Sequence, residues 1–75
     1  MNLKDAVAAA KEHINDMFTA DAPQNIRLES FLYDDHLMVW SLTIAFALGH
    51  AGGNRVSKLV RVSEANKVVL SVKDA

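Results

Sequence analysis

The densest group of side chains capable of chemistry is the segment YDDHL, in which Asp34, Asp35 and His36 are consecutive. Carboxylate and imidazole groups suit divalent metal ions, so these residues could hold one ion together. A solvated turn between two strands accounts for the same residues, because aspartate tolerates turn geometry. None of the three histidines has a second histidine three or four residues away. We therefore expect a turn here, with no metal site and no cofactor.

Nucleophilic catalysis would require a serine or threonine beside a histidine and an acid. The serines of this sequence recur instead at regular spacing within segments that read as strands. A chain of 75 residues is also nearly too small to enclose a pocket with convergent polar groups. The sequence therefore predicts that the protein is not an enzyme.

A glycine-rich segment, GHAGGNR, spans residues 49–55. Loops of this kind bind phosphate when a helix N-terminus follows them, but this one precedes a strand and lacks the lysine and hydroxyl residue of a P-loop. It fits a flexible hairpin loop better, and such a loop suits contact with a partner. His50 and Arg55 are accordingly candidate interaction residues.

Five basic residues fall in or beside the last two predicted strands. They are Arg55, Lys58, Arg61, Lys67 and Lys73. This grouping could give a basic edge for an acidic peptide or nucleic acid, or it could be edge-strand charge that prevents aggregation, which is the interpretation we favour. A net charge of −1 gives the chain no long-range field that attracts nucleic acid or an anionic membrane.

All of these candidate residues must be held in place by one small domain, because the chain has only 75 residues. No cysteine is present, so disulfides cannot staple it. Charges at Lys4, Asp5, Lys11 and Glu12 interrupt any signal-peptide core, so we expect a cytoplasmic protein. The most apolar stretch, residues 37–48, is too short for a membrane helix, which needs about 20 residues.

The first element is predicted to be a helix from about Leu3 to about Thr19, capped by Asn2 and ended by Pro23. Apolar residues recur at helical spacing and should face the core. They are Leu3, Val7, Ala10, Ile14, Met17 and Phe18.

Four strands are predicted to follow the helix. Residues 37–48 alternate between large and small side chains, with Trp40 on the heavy face, and twelve residues are long enough to favour a bulge or sharp twist. The phase of residues 26–33 is unclear unless a bulge lies near Ser30. Residues 55–63 and 67–73 are rich in β-branched residues, which favour strands. The turn between them places Asn66 where φ is often positive. The fold class is α+β: a single α-β-β-β-β domain, residues 1–75, with one N-terminal helix packed on a four-stranded antiparallel β-meander.

One helix can cover only one face of such a sheet. The other face should present Leu37, Val39, Thr43 and Ala45, together with apolar residues of the last strands. Apolar surface of that kind is usually buried by a second copy or by another protein, so we expect a protein partner and possible homodimer.

Four motifs follow one another along the chain: LES, W-x-L-T-I-x-F, R-V-S-K-L-V-R-V and V-V-L-S-V-K. Their order resembles that of a group of small stand-alone bacterial proteins of uncharacterised function, and the order of elements is similar to that of PepSY-type domains and some toxin-immunity proteins. The resemblance implies a non-catalytic binding or inhibitory module, and the alternative is a nucleic-acid-associated protein that uses the basic C-terminal strands. The candidate interaction residues are Leu37, Val39, Thr43, His50, Arg55, Lys58 and Arg61.

Overall fold

The computed structural model describes residues 2–49 and 54–75. An N-terminal helix packs on a four-stranded antiparallel sheet whose strands follow chain order, so the α+β fold predicted from the sequence is confirmed. The elements are helix α1 (Leu3–Met17), a single 3-10 turn (Thr19–Asp21), and strands β1 (Gln24–Asp34), β2 (Val39–Leu48), β3 (Asn54–Ser63) and β4 (Val69–Asp74).

Helix α1 begins where the sequence predicts it and ends two residues earlier. The Asn2 side-chain oxygen accepts a hydrogen bond of 2.9 Å from the Asp5 amide, which caps the N-terminus. At the other end the Thr19 hydroxyl donates to a carbonyl of the last helical turn. The prediction that Met17 faces the core is wrong, because the chain leaves the helix there and Phe18 packs on the sheet instead.

The central strands pair regularly, whereas both edge strands are bulged. β2 and β3 form ten consecutive residue pairs without a register shift. β1 shifts twice against β2, and one shift lies between Leu28 and Ser30, where the sequence predicts it. β4 shifts once against β3, with Leu70 as the extra residue. No bulge falls within β2, so of the predicted bulge or sharp twist the bulge is wrong. The irregularities lie on the edge strands, where they disrupt the row of backbone groups that would recruit another strand.

The sheet has one face covered by the helix, the covered face, and a second that we call the open face. Trp40 lies on the covered face, as predicted, and is half-buried. The fully buried core combines Ala6, Ala10 and Ile14 of α1 with Leu42, Ile44, Phe46, Val60 and Val62 of the sheet. The open face carries Arg27, Glu29, Ser30, Leu32 and Asp34 of β1, Val39, Ser41, Thr43, Ala45 and Ala47 of β2, Arg55, Ser57, Leu59, Arg61 and Ser63 of β3, and Ser71 and Lys73 of β4.

The turn between β3 and β4 differs from its prediction by one residue. The positive φ lies at Lys67 (57°) rather than at Asn66. The Asn66 amide donates to the Ser63 hydroxyl at 3.3 Å, which holds it within the turn and leaves the left-handed conformation to the next residue. β4 consequently starts at Val69, two residues later than predicted.

Candidate interaction surfaces

Six large apolar side chains are exposed in the two hairpin turns and in the parts of β1 and β4 that adjoin them, on both faces of the sheet, and we call this region the apolar end. Their exposed fractions range from 45% to 68%. They are Phe31, Leu32, Leu37, Met38, Val68 and Leu70. Among the described residues the one other exposed large apolar side chain is Met17, at the C-terminus of α1. So much apolar surface at one place on a small domain is typical of contact with another molecule.

The architecture places the two turns side by side and explains why Phe31 is exposed. The Glu64 amide donates a 2.9 Å hydrogen bond to the Met38 carbonyl, so the β1–β2 turn and the β3–β4 turn lie side by side. The 15 residues of α1 extend only about 22 Å, whereas the 11 residues of β1 extend about 36 Å. The helix is too short to cover the whole strand. Phe31 is therefore 55% exposed even though it lies on the covered face.

Trp40 joins the apolar end to the core. Its ring centroid lies 4.7 Å from that of Tyr33 and 6.4 Å from that of Phe31, both in tilted arrangements. The same side chain packs against the buried cluster beneath α1. Its indole Nε1 is buried and has no hydrogen-bond partner among the described residues. A buried indole N–H usually has a partner, so this one detracts from the stability that the ring confers.

Carboxylates surround the phenol of Tyr33 at the rim of the apolar end. They raise the pKa of Tyr33 to about 12, and hydrogen bonding to the Glu64 carboxylate is the largest cause. Desolvation and the charges of Glu64, Asp35 and Asp34 act in the same direction, because each disfavours the phenolate. The rim is thus acidic and the phenol is neutral at physiological pH.

We expect Glu64→Gln to lower the pKa of Tyr33 from about 12 toward its ordinary value of 10.0. Tyr33 is the only tyrosine, so the ultraviolet absorbance of tyrosinate during an alkaline titration reports it directly. Because the folded-state pKa is raised, the contribution to stability is complete below pH 10 and is lost as the pH rises through about 12. Asp5→Asn, on α1, is the control and should leave the titration unchanged; an unaltered pKa in Glu64→Gln would contradict the assignment.

The DDH segment forms the predicted turn. The Asp34 carboxylate accepts hydrogen bonds from the amides of His36 at 2.9 Å and Leu37 at 3.1 Å, which is the bonding of an aspartate turn. Within residues 2–49 and 54–75 no group of three His, Asp or Glu side chains is placed to hold a metal ion. The geometry gives these residues a structural role in shaping the β1–β2 turn.

The basic residues of the last two strands are divided between the two faces. Arg55, Arg61 and Lys73 lie on the open face. Lys58 lies on the covered face, where its ammonium pairs with Asp74, lowers the pKa of that carboxyl, and sits 5.8 Å from the centroid of the Phe18 ring. The five residues therefore do not form the single basic edge that the sequence allowed, and Lys58 is committed to contacts within the chain.

The remaining predicted interaction residues are scattered. Leu37 is 60% exposed and belongs to the apolar end. Val39 and Thr43 lie on the open face, but Val39 is only 5% exposed, which leaves little of it for a partner. His50 lies outside the described residues.

The open face is less apolar than the sequence suggested. Of the apolar residues of the last strands, Leu59 lies on the open face, Val60 and Val69 pack against the core, and Leu70 is displaced into the β4 bulge. Val39, Thr43 and Ala45 lie on the open face as predicted, whereas Leu37 belongs to the apolar end.

The residues of the apolar end are mostly ones that the sequence analysis did not select. The adjacent pair Phe31 and Leu32 does predict exposed apolar surface, because successive strand residues point to opposite faces of the sheet. One helix covers one face, so at least one of the two must be exposed. The exposed fractions of 55% and 68% show that both are.

A groove of about 390 Å³ runs between α1 and the start of β4. Its lining combines Glu12, His13 and Asp16 of the helix with Lys67 of the adjoining turn, beside Ala9, Val68 and Val69. Acidic and basic groups are both present, but none of the lining residues carries a hydroxyl or thiol nucleophile. The groove has the character of a charged cleft between two packed elements.

Neither a scan of protein-family models nor searches of curated proteins and solved structures find a match to this chain. The similarity to PepSY-type and immunity proteins accordingly stays a prediction, and function has to be inferred from the surfaces themselves. In the part of the chain that the structure describes, no helix is both long and apolar enough to cross a membrane.

Proposed function

We propose that this protein is a small non-catalytic binding module that acts through protein–protein contacts, as an inhibitor, an immunity protein or an adaptor does. The observation that carries the proposal is the apolar end, where six large apolar side chains are exposed on a chain of 75 residues. Burying apolar surface contributes about 25 cal/mol for each Å². A partner with an apolar patch of its own would supply that burial.

The layout of the apolar end matches that of a protein interface. Such interfaces have an apolar centre and a polar rim that fixes orientation. Phe31 and Leu37 offer the exposed centre, and the Tyr33 phenol with the Glu64 carboxylate offers the rim. A few large central side chains carry most of the energy of an interface, so Phe31 and Leu37 are the expected anchors.

The alternative, a nucleic-acid-binding role, has less support. Single-stranded nucleic acid binds where bases stack on exposed aromatic rings close to basic side chains. Here Phe31 and Tyr33 lie on the covered face, whereas Arg55 and Arg61 lie on the open face. Because the sheet separates the rings from the guanidinium groups, a strand stacked on the rings would not reach those cations.

We expect the double substitution Phe31→Ser and Leu37→Ser to weaken binding of the natural partner about tenfold or more, because it removes both expected anchors. The partner would be captured from a lysate of the encoding organism on the immobilised chain, identified by mass spectrometry, purified and titrated by calorimetry. Met17→Ser is the matched control, since Met17 is 56% exposed but lies outside the apolar end.

Equal affinity of the purified partner for the wild-type chain and the double variant would refute the apolar end as the contact. Capture that disappears on nuclease treatment would favour the nucleic-acid alternative. Light scattering on the same samples measures the mass in solution and so tests whether the partner is a second copy of the chain. A mass near 8.2 kDa at all concentrations would exclude self-association.

A further inference from the structure

The open face carries a group of cations that have no acidic partner among residues 2–49 and 54–75. They are Arg27, Arg55, Arg61 and Lys73. Among residues 2–49 and 54–75 the one ion pair joins Lys58 and Asp74, and Lys58 lies on the covered face. These four charges are therefore uncompensated by any salt bridge in the described part of the chain.

The two carboxylates of the open face are engaged in other contacts. Glu29 accepts a 3.0 Å hydrogen bond from the Ser57 hydroxyl. Since β2 lies between β1 and β3, the Glu29 side chain must cross β2 near Ala45, which accounts for the 1% exposure of that alanine. Asp34 accepts from the two turn amides described above. The face as a whole is positively charged.

The centre of the open face is shallow. At its middle β2 contributes the short side chains Ser41 and Thr43. Leu32 on β1 and Arg61 on β3 flank Ser41, and Ser30 and Leu59 flank Thr43. The two flanking strands are about 10 Å apart, which leaves a shallow depression over Ser41 and Thr43 that the Glu29 side chain bounds on the Ala45 side. Next to Arg61 in the register, the buried hydroxyl of Ser71 has no hydrogen-bond partner among the described residues.

We propose that the open face binds an acidic, partly apolar segment of the partner protein. Its carboxylates pair with Arg61 and Lys73, and its apolar side chains contact Leu32 and Leu59. This inference rests on the proposed function, because it names the chemistry of the molecule that the module binds. Guanidinium groups suit this role because they bind carboxylates through two parallel hydrogen bonds.

Two other occupants fit the open face less well. A second copy would bring four cations against four cations, and like charges facing each other across an interface cost several kcal/mol. Nucleic acid would satisfy the charges, but in the described part of the chain no aromatic residue lies on the open face to stack with bases. Leu32, which is 68% exposed, would also gain nothing from a phosphate backbone.

The test is fluorescence anisotropy with a labelled peptide of repeating Glu-Glu-Leu, compared with a labelled oligothymidylate of equal charge. We expect the peptide to bind more tightly than the oligonucleotide. The double variant Arg61→Glu, Lys73→Glu should weaken peptide binding about tenfold or more. The control Lys4→Glu, Lys11→Glu makes the same change in net charge on α1 and should leave the affinity within about twofold.

Arg61 is half-buried, so circular dichroism must show that the double variant is folded. Lys73 is exposed, and Lys73→Glu alone should still lower the affinity for the peptide measurably. The variant Phe31→Ser, Leu37→Ser alters the apolar end and should retain peptide affinity, which separates this inference from the proposed function. The inference fails if the peptide does not bind, if the α1 control lowers peptide affinity as much as the double variant does, or if the oligonucleotide binds more tightly than the peptide.

Discussion

Replacing Phe46 with alanine should lower the free energy of unfolding by about 3–5 kcal/mol. Phe46 is fully buried near the C-terminal end of β2, and its ring centroid lies 5.2 Å from that of Phe18. The substitution removes the ring and leaves a cavity that the rigid central strands cannot close. A domain of this length has a total stability of about 4–11 kcal/mol, so the substitution should remove a large part of it.

The matched control for that experiment is Phe31→Ala. It makes the same chemical change at a residue that is 55% exposed, so the loss of stability should be about 1 kcal/mol or less. Urea denaturation followed by far-ultraviolet circular dichroism measures both variants. Similar losses at the two positions would mean that the apolar end is buried in solution, for example by self-association.

The element order follows from the sequence because the two hydrophobic periods are clear. Alternation over residues 37–48 identifies a strand, and the recurrence of Val7, Ala10 and Ile14 identifies the face of a helix. Asn2 marks the helix start through a bond that depends only on local geometry. Local signals of this kind need no knowledge of the rest of the chain.

The features that the sequence does not disclose depend on tertiary contacts. Met17 has the right spacing for the core, but the helix ends at that residue and leaves it exposed. Lys58 and Arg61 are three residues apart, so alternation places them on opposite faces of β3 in either phase. The fit of Val60 and Val62 beneath the helix decides that Lys58 is the one on the covered face. Periodicity shows that the two faces of a strand differ, but it does not show which of the two faces the helix covers.

The candidate surfaces depend on one further quantity, the difference in length between helix and strands. The sequence predicts a helix from about Leu3 to about Thr19 and a first strand over residues 26–33, which extend about 25 Å and about 26 Å, so it does not disclose the difference. It does predict the β1 bulge near Ser30, and that bulge moves Phe31 and Tyr33 to the covered face and Leu32 to the open face. The bulge thereby separates the aromatic residues from the cations and makes two distinct surfaces out of one sheet.

Replacing Trp40 with alanine should cost about 3 kcal/mol, at the lower end of the range for a large aromatic residue because Trp40 is half-buried. The alanine removes the contacts with Tyr33 and Phe31 and exposes the core beneath the helix. Replacing Trp40 with phenylalanine retains an aromatic ring and removes the buried N–H that has no partner among the described residues. The phenylalanine variant should therefore lie within about 1 kcal/mol of the wild-type chain.

Circular dichroism must follow these unfolding transitions, since Trp40 is the only tryptophan and its fluorescence is lost in both variants. If phenylalanine costs as much as alanine, the indole N–H has a partner in solution, such as a bound water, and the ring is held by that bond as well as by packing. If both variants cost less than about 1 kcal/mol, Trp40 contributes little to the core, and its place beside Phe31 makes it part of the contact surface. A large loss for alanine with a small one for phenylalanine would establish that the packing of the ring stabilises the junction between the core and the apolar end.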